Sequence, residues 1–158
     1  MNAIGNLALT TEPTATTNGT AATEAIALGD TLHFADGLFG FPECRSFSLF
    51  RTGQPGLFWL QSTEHEALTL LLADPFVFSD GYTVELAESD VKRLAATAAS
   101  DVAILVTVTI AESREQSSTA NLQGPLAINV RTGRARQVIV NDPAFAVRHP
   151  IDLARGVS

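Results

Sequence analysis

Residues 119–140 read TANLQGPLAINVRTGRARQVIV, and this stretch decides the fold. Leu126, Ile128 and Val130 alternate with Ala and Asn, the period of two that places one set of side chains on a buried sheet face. A second alternating run follows Gly133, a residue that is free to take the positive φ that a tight turn needs. The stretch therefore predicts a β-hairpin, and it contains no residues that suggest catalysis.

Short β-type runs precede this hairpin in the sequence, separated by turns rich in Gly, Pro and Asp. They cover residues 31–34, 46–51, 57–61, 68–73, 82–86 and 101–110. Many short strands with regular turn signals favour an antiparallel meander that closes into a barrel, because closure removes exposed edges. The predicted fold is mainly β, a small antiparallel β-barrel of about eight strands with one short helix.

One segment has the pattern of a helix. Ser89 is expected to be its N-cap, and Asp90 lies in the first turn, where a negative charge interacts favourably with the helix dipole. The apolar stripe consists of Val91, Leu94, Ala95 and Ala98. These positions are spaced i, i+3, i+4 and i+7, so the helix is expected to dock on the sheet through one narrow face.

The sequence divides into one folded domain and two tails. Residues 1–28 hold seven threonines, no aromatic residue and only two charged residues. Such a segment buries too little apolar surface to offset its ordering entropy, so it is predicted to be a disordered tail. Residues 29–153 form the predicted barrel domain, and residues 154–158 form a short C-terminal tail.

Charge is distributed unevenly along the chain. The net charge is −7, which disfavours direct nucleic-acid binding, because that binding depends on Lys and Arg neutralising phosphates. Residues 61–91 contain no Lys or Arg but seven acidic residues. Two interpretations stay open: a solvated surface, or a negative face that steers a basic protein partner into contact.

The compartment follows from what the sequence lacks. Cys44 is the single cysteine, so an intrachain disulfide is excluded and a reducing compartment is expected. No Lys or Arg precedes Arg45, so the positively charged start of a signal peptide is missing. No run approaches the ~20 apolar residues of a membrane span. A cytoplasmic protein without a membrane anchor is predicted.

The histidines, and the aspartates that precede proline, are the candidates for metal binding or catalysis. His33, His65 and His149 lie in separate segments, without carboxylate or cysteine partners at ligand spacing. Neither a glycine-rich phosphate loop nor a Gly-x-Ser-x-Gly motif occurs. Asp74 and Asp142 each precede a proline, where carboxylates usually cap turns. No catalytic residue, metal site or cofactor is predicted, and the chain is not expected to be an enzyme.

Residues 35–42 read ADGLFGFP, a loop with two glycines and a proline that still carries three large apolar side chains. A loop of this kind either packs its side chains over the open end of a core or offers them as a contact surface. Both interpretations stay open at this point.

Several short motifs, taken in order, resemble the bacterial flagellar assembly factor FliW family. They are FADGLFGF at 34–41, FWLQS at 58–62, DPF at 74–76, TANL at 119–122, GP at 124–125, IN at 128–129, QVI at 137–139 and RHP at 148–150. The resemblance covers about residues 30–152. The sequence departs from the family pattern in its threonine-rich tail and at Phe39 and Pro42, where the family more often has proline and an acidic residue.

The resemblance implies a β-barrel without catalysis that acts by partner switching. Family members bind flagellin in the cytoplasm and alternatively bind the translational repressor CsrA, which relieves repression of flagellin synthesis. The acidic stretch suggests Asp74, Asp80, Glu85 and Glu88 as repressor-binding residues, by attraction to a basic surface. The apolar loop suggests Leu38 and Phe39 as flagellin-binding residues, which would receive a helix in a groove.

Two other classes of barrel compete with this interpretation. A small-molecule-binding barrel needs an unfilled interior, whereas the inward candidates here are Phe, Leu, Ile and Val, which fill the space. A nucleic-acid-binding barrel needs basic residues interleaved with aromatic ones on one face. Arg131, Arg134 and Arg136 are confined to one hairpin without aromatic neighbours, so a solvated turn is the expected role of that cluster.

Overall fold

The computed structural model describes residues 26, 29–113 and 116–153, which form a β-barrel with further elements packed on its wall. Its strands are β1 Thr31–Phe34, β2 Ser46–Arg51, β3 Leu57–Ser62, β4 Thr69–Ala73, β5 Val102–Thr109, β6 Ser118–Ala120, β7 Leu126–Asn129, β8 Arg134–Gln137 and β9 His149–Ile151. Within the described residues, one α-helix, α1, spans Glu88–Leu94, and 3₁₀ turns span Pro75–Val77 and Ala99–Asp101.

Seven strands close the barrel. Their order is β4-β3-β2-β1-β8-β7-β5, and pairing between β4 and β5 completes the ring. The predicted mainly-β barrel with one helix is confirmed. Seven strands close rather than about eight, and β1 pairs with β8 in parallel. A closed ring with an odd number of strands cannot alternate direction throughout, so one parallel pair is a geometric necessity.

The alternation of side chains along the strands separates two apolar layers. The barrel interior is filled by residues from all seven closed strands, among them Phe34, Phe47, Leu49, Leu60, Leu72, Leu105, Leu126, Ile128 and Ala135. The second layer lies on the outer face of β4, β5 and β7, where α1 and residues 82–86 cover it. One part of the wall is therefore buried on both faces.

The predicted hairpin is confirmed as β7 and β8. Leu126 lies opposite Gln137, and Ile128 lies opposite Ala135. Leu126 and Ile128 point into the barrel, as their alternation predicts. The second arm ends as a strand at Gln137, although its extended course continues to Val140, whose N–H donates to the Gln123 carbonyl at 2.9 Å.

The strand predicted at 82–86 is wrong, because this segment pairs with no neighbouring strand among the described residues. Its alternation is nevertheless real: Tyr82, Val84 and Leu86 are buried in the outer layer. The Tyr82 hydroxyl donates to the Leu122 carbonyl at 2.6 Å. Packing against a sheet from outside produces the same period of two as membership of a sheet, without ladder hydrogen bonds.

The predicted helix exists but is shorter and begins earlier. Its N-cap is Ala87 rather than Ser89, and the Ala87 N–H donates to Asp90 Oδ2 at 3.2 Å. Val91 and Leu94 form its buried face. The helix ends at Leu94, with Ala95 as its C-cap in the left-handed conformation (φ 55), and the Asn129 side chain on β7 donates to the Leu94 carbonyl at 2.8 Å. Ala98 consequently lies outside the helix.

The remaining predictions concern the ends of the chain. Strands β6 and β9 were not predicted, because three residues are too few to establish a period. The predicted tails, 1–28 and 154–158, lie outside the described residues except for Ile26 and the boundary at Gly29. Ile26 is buried with the side chains of the barrel interior.

Candidate protein-binding surface

The loop between β1 and β2, residues 35–44 and hereafter the rim loop, folds over one open end of the barrel. Leu38 and Phe41 exchange backbone hydrogen bonds of 3.2 and 2.8 Å, which make the loop a tight turn. Gly37 has φ +67, and a Cβ at this position would collide with the carbonyl of Pro42. Only glycine fits there, because L side chains rarely adopt this backbone conformation and no space is left for one.

Leu38 and Phe39, the two residues predicted to bind flagellin, differ in their exposure within the rim loop. Leu38 is only 4% exposed and packs with the side chains of the barrel interior, whereas Phe39 is 56% exposed. The Phe39 N–H donates to Gln137 Oε1 at 2.8 Å, which ties the tip of the loop to the end of β8. Phe41, also in the loop, is 37% exposed. One apolar side chain thus closes the barrel while its neighbours face outward.

Asp36 anchors the start of the rim loop. Its Oδ2 lies 3.0 Å from Arg93 Nη1 on α1 and 2.9 Å from Arg136 Nη1 on β8. Arg136 Nε in turn lies 2.8 Å from Asp90 Oδ1, an ion pair in which the N–H does not align for a hydrogen bond. The network joins the loop, the helix and the hairpin, so the position of Phe39 depends on all three elements.

Glu64 anchors the other end of the rim loop. Its Oε1 accepts hydrogen bonds from the N–H groups of Arg45 and Ser46, both at 2.8 Å. These two backbone hydrogen bonds are the main reason why the pKa of Glu64 is lowered from its ordinary value. Glu64 belongs to the acidic stretch of the sequence, and the structure gives this carboxylate a role in shaping the loop.

The four residues predicted to bind the repressor do not share one environment. Asp80, Glu85 and Glu88 are exposed. Asp74 is only 2% exposed, and its Oδ1 accepts a hydrogen bond from the Phe76 N–H at 3.0 Å, capping a 3₁₀ turn. The turn-capping role that the proline after Asp74 indicated is confirmed, and its burial leaves this carboxylate little surface to offer a partner.

Among the described residues, Glu88 differs from Asp80 and Glu85 in having a cation within ion-pair distance. Its Oε1 lies 3.4 Å from Lys92 Nζ, one turn later on α1. Both side chains are well exposed, and exposed pairs of this kind contribute about 0–1 kcal/mol to stability. The pair therefore leaves Glu88 able to exchange Lys92 for a cation on a partner.

The sequence-based selection missed Ile139, an apolar residue that is 64% exposed. The signal was present in the second arm of the hairpin, where Val138 and Val140 face the outer apolar layer. Alternation places Ile139 on the opposite side, beyond the end of the barrel. Gln137, which holds Phe39, lies on that same side of the strand.

The described part of the chain offers no group of three or more His, Cys, Asp or Glu side chains that could hold a metal ion. The pKa of the Cys44 thiol is raised, mainly by burial and also by the nearby carboxylates of Glu43 and Glu64. A raised pKa keeps the thiol protonated, the opposite of what a nucleophilic cysteine needs. Burial likewise raises the pKa of Tyr82, whose hydroxyl is committed to a backbone carbonyl.

The barrel interior bears on the competing class of small-molecule-binding barrels. The inward positions of the closed strands carry large apolar side chains that are almost completely buried, an arrangement typical of a filled barrel. Among the described residues, no helix has the length and apolar character needed to cross a membrane.

Comparison with known proteins identifies relatives over most of the chain. A sequence model of the FliW protein family matches residues 14–151. The chain is 36% identical over 126 residues to the flagellar assembly factor FliW of Shouchella clausii, covering 79% of this chain and 86% of the relative. It is 37% identical over 122 residues to the FliW of Bacillus licheniformis, covering 77% of this chain and 85% of the relative.

A solved structure agrees with these sequence matches. The crystal structure of a flagellar assembly factor FliW superposes on this chain with a TM-score of 0.71 and 32% sequence identity. The match covers 79% of this chain and 87% of the solved chain. The likeness thus extends across nearly the whole barrel and is not confined to a motif.

Proposed function

This chain belongs to the FliW family of flagellar assembly factors, and we propose that it works in the cytoplasm by partner switching, without catalysis. In one state it binds flagellin as a chaperone-like factor. In the other it binds and antagonises the translational repressor CsrA, which relieves repression of flagellin synthesis. No cofactor, nucleic acid or membrane takes part directly.

The observation that carries the flagellin half of the proposal is the exposure of Phe39. A large aromatic side chain is 56% exposed at the tip of a loop that is anchored at both ends. A preorganised apolar group loses little conformational entropy on binding, so such residues make effective anchors for a partner helix. Leu38 contributes from within, because its packing in the barrel fixes the backbone that presents Phe39.

The repressor half rests on charge. Asp80, Glu85 and Glu88 are exposed in a region of the sequence that has no Lys or Arg before Lys92. An acidic surface attracts a basic protein and repels RNA phosphates, so binding there would also separate the repressor from its message. Asp74 supports this surface indirectly, by shaping the turn that leads to Asp80.

The flagellin site is tested by titrating purified flagellin from the same organism into Phe39→Ala and measuring Kd by calorimetry. We expect the affinity to fall about tenfold or more, the effect of removing an interface hot spot. Phe50→Ala is the matched control, since Phe50 is 44% exposed on the barrel wall. An equal loss in both variants would contradict a role for the rim loop.

The repressor site is tested with Asp80→Lys combined with Glu85→Lys, using purified CsrA. We expect weaker binding at low salt and a difference from wild type that shrinks as salt is added, because exposed charges are screened beyond about 10 Å at 0.1 M ionic strength. Glu112→Lys, at an exposed site elsewhere on the chain, is the control. Unchanged affinity of the double variant at low salt would exclude this face.

A further inference from the structure

A surface groove of about 390 Å³ adjoins the proposed repressor face and shares Glu85 with it. It is lined by Thr83, Glu85, Ile139, Val140, Asn141, Asp142 and Pro143. Two separate parts of the chain meet here: the extended segment before α1 and the segment after β8. The groove is therefore a product of the tertiary fold, which the sequence does not mark by any motif.

The apolar part of the groove is Ile139. Val138 donates its N–H to the Pro125 carbonyl and Val140 donates its N–H to the Gln123 carbonyl, both at 2.9 Å. These hydrogen bonds fix the extended backbone on either side of Ile139 and hold its side chain outward, 64% exposed. The groove thus presents an aliphatic side chain on a rigid segment.

The charged part of the groove is formed by Glu85 and Asp142, which are both exposed. Val84 and Leu86 are buried on either side of Glu85, so its side chain is held outward. Asp142 Oδ1 accepts a hydrogen bond from the Ala144 N–H at 2.9 Å, which orders the backbone around the carboxylate. Among the described residues, neither carboxylate forms an ion pair, so both charges are available.

The segment that carries Ile139 also contacts the rim loop. Gln137, whose side chain accepts a hydrogen bond from the Phe39 N–H, lies two residues before Ile139 on the same side of the strand. A partner segment that fills the groove and extends along this strand reaches the region of Phe39. The proposed flagellin site and the groove are thus linked through residues 137–139.

We infer that the groove receives a segment of a basic protein in which an aliphatic side chain is flanked by lysine or arginine. The aliphatic group packs on Ile139, and the cations pair with Glu85 and Asp142. An acidic protein, a nucleic acid or an anionic membrane would be repelled by the same carboxylates. If the proposed function holds, on which this assignment rests, the repressor supplies the segment, and its presence beside Phe39 hinders flagellin binding sterically.

The test measures the Kd of purified CsrA for Ile139→Ser and for Asp142→Lys. Ile110→Ser and Glu112→Lys are matched controls, since Ile110 is 52% exposed and both residues line a different cavity. We expect a loss of about tenfold for Ile139→Ser that persists in high salt, because apolar contacts are not screened. The loss for Asp142→Lys should shrink as salt is added. Thermal unfolding by circular dichroism confirms that each variant is folded.

The possible outcomes separate the groove from the broader function. If wild-type protein binds CsrA while Ile139→Ser and Ile110→Ser have the same affinity, the groove assignment is overturned and the proposed function stands. If wild-type protein does not bind CsrA, both are overturned. A loss confined to Ile139→Ser and Asp142→Lys supports both.

Discussion

Phenylalanine occurs both in the barrel interior and in the rim loop, but it is buried in the interior and exposed at the loop tip. Phe34 and Phe47 are 0% exposed and meet edge to face inside the barrel, with ring centroids 5.5 Å apart. Phe39, only five residues after Phe34, is 56% exposed. A strand must turn alternate side chains inward, whereas an anchored loop can hold one outward. The comparison separates aromatic residues that build the fold from one that is exposed and can bind a partner.

The largest expected change in the free energy of unfolding comes from removing one large side chain from the barrel interior. Phe47→Ala should lower the free energy of unfolding by about 3–5 kcal/mol, because it removes buried apolar surface and leaves a cavity. Phe39→Ala should change that free energy by about 0.5 kcal/mol or less, as is usual for exposed positions. Urea denaturation of the two variants measures both values. Similar losses of unfolding free energy in the two variants would show that the rim loop is part of the core. They would contradict the distinction between the barrel interior and the rim loop.

A smaller effect is expected from changing the shape of the rim loop. Gly37→Ala forces a side chain into a conformation with φ +67 and against the Pro42 carbonyl. Backbone strain of this kind costs about 1–3 kcal/mol, and the collision adds to it. Gly53→Ala is the matched control, since Gly53 has φ +98 but no atom within 4 Å of a Cβ placed there. The difference between the two variants in the free energy of unfolding, measured by urea denaturation, reports chiefly the collision.

Gly37→Ala should also weaken flagellin binding, because the displaced loop no longer presents Phe39 in place. Gly53→Ala should bind flagellin as wild type does. If Gly37→Ala destabilises the protein without changing flagellin affinity, the shape of the loop matters to the fold and not to the partner.

Much of the fold could be predicted from local patterns. Periods of two and 3.6 residues predict the hairpin, the five strand runs other than 82–86, and one helix. Strand pairing could not be predicted in this way, because β1 pairs in parallel with β8, which lies about a hundred residues later in the sequence. At the end of the helix, the Leu94 carbonyl accepts a hydrogen bond from Asn129, which lies 35 residues away in the sequence. Contacts between residues so far apart in the sequence cannot be predicted from the pattern of a short segment.

The candidate surface was less predictable than the fold. Leu38 and Phe39 are adjacent apolar residues in a loop without a period, so nothing local indicates which one is buried. Asp74 looked like part of an exposed acidic stretch, yet it is buried as a turn cap. Ile139 was visible in the alternation of the hairpin, but its exposure depends on the barrel ending beside it. Whether a residue is exposed therefore depends on how separate strands, loops and turns pack together.

The smallest expected effect concerns the second anchor of the rim loop and depends on pH. The pKa of Glu64 is lowered in the folded protein, chiefly by hydrogen bonds from the N–H groups of Arg45 and Ser46. A lowered folded-state pKa stabilises the protein at pH values above the unfolded-state value of about 4.5. That stabilisation is lost as the pH falls below this value and through the lowered one.

Glu64→Gln removes this titration while keeping an oxygen that can accept the two hydrogen bonds. We therefore expect the variant to be slightly less stable than wild type at pH 7, and the gap in urea midpoint to narrow between about pH 4.5 and pH 3. Glu112→Gln, at an exposed position outside the rim loop, should keep a pH profile close to that of wild type. A gap for Glu64→Gln that stays constant down to pH 3 would show that the carboxylate acts only through its shape. A gap that closes would show that the loop presenting Phe39 is held in part by charge, whereas the interior beneath it is held by packing.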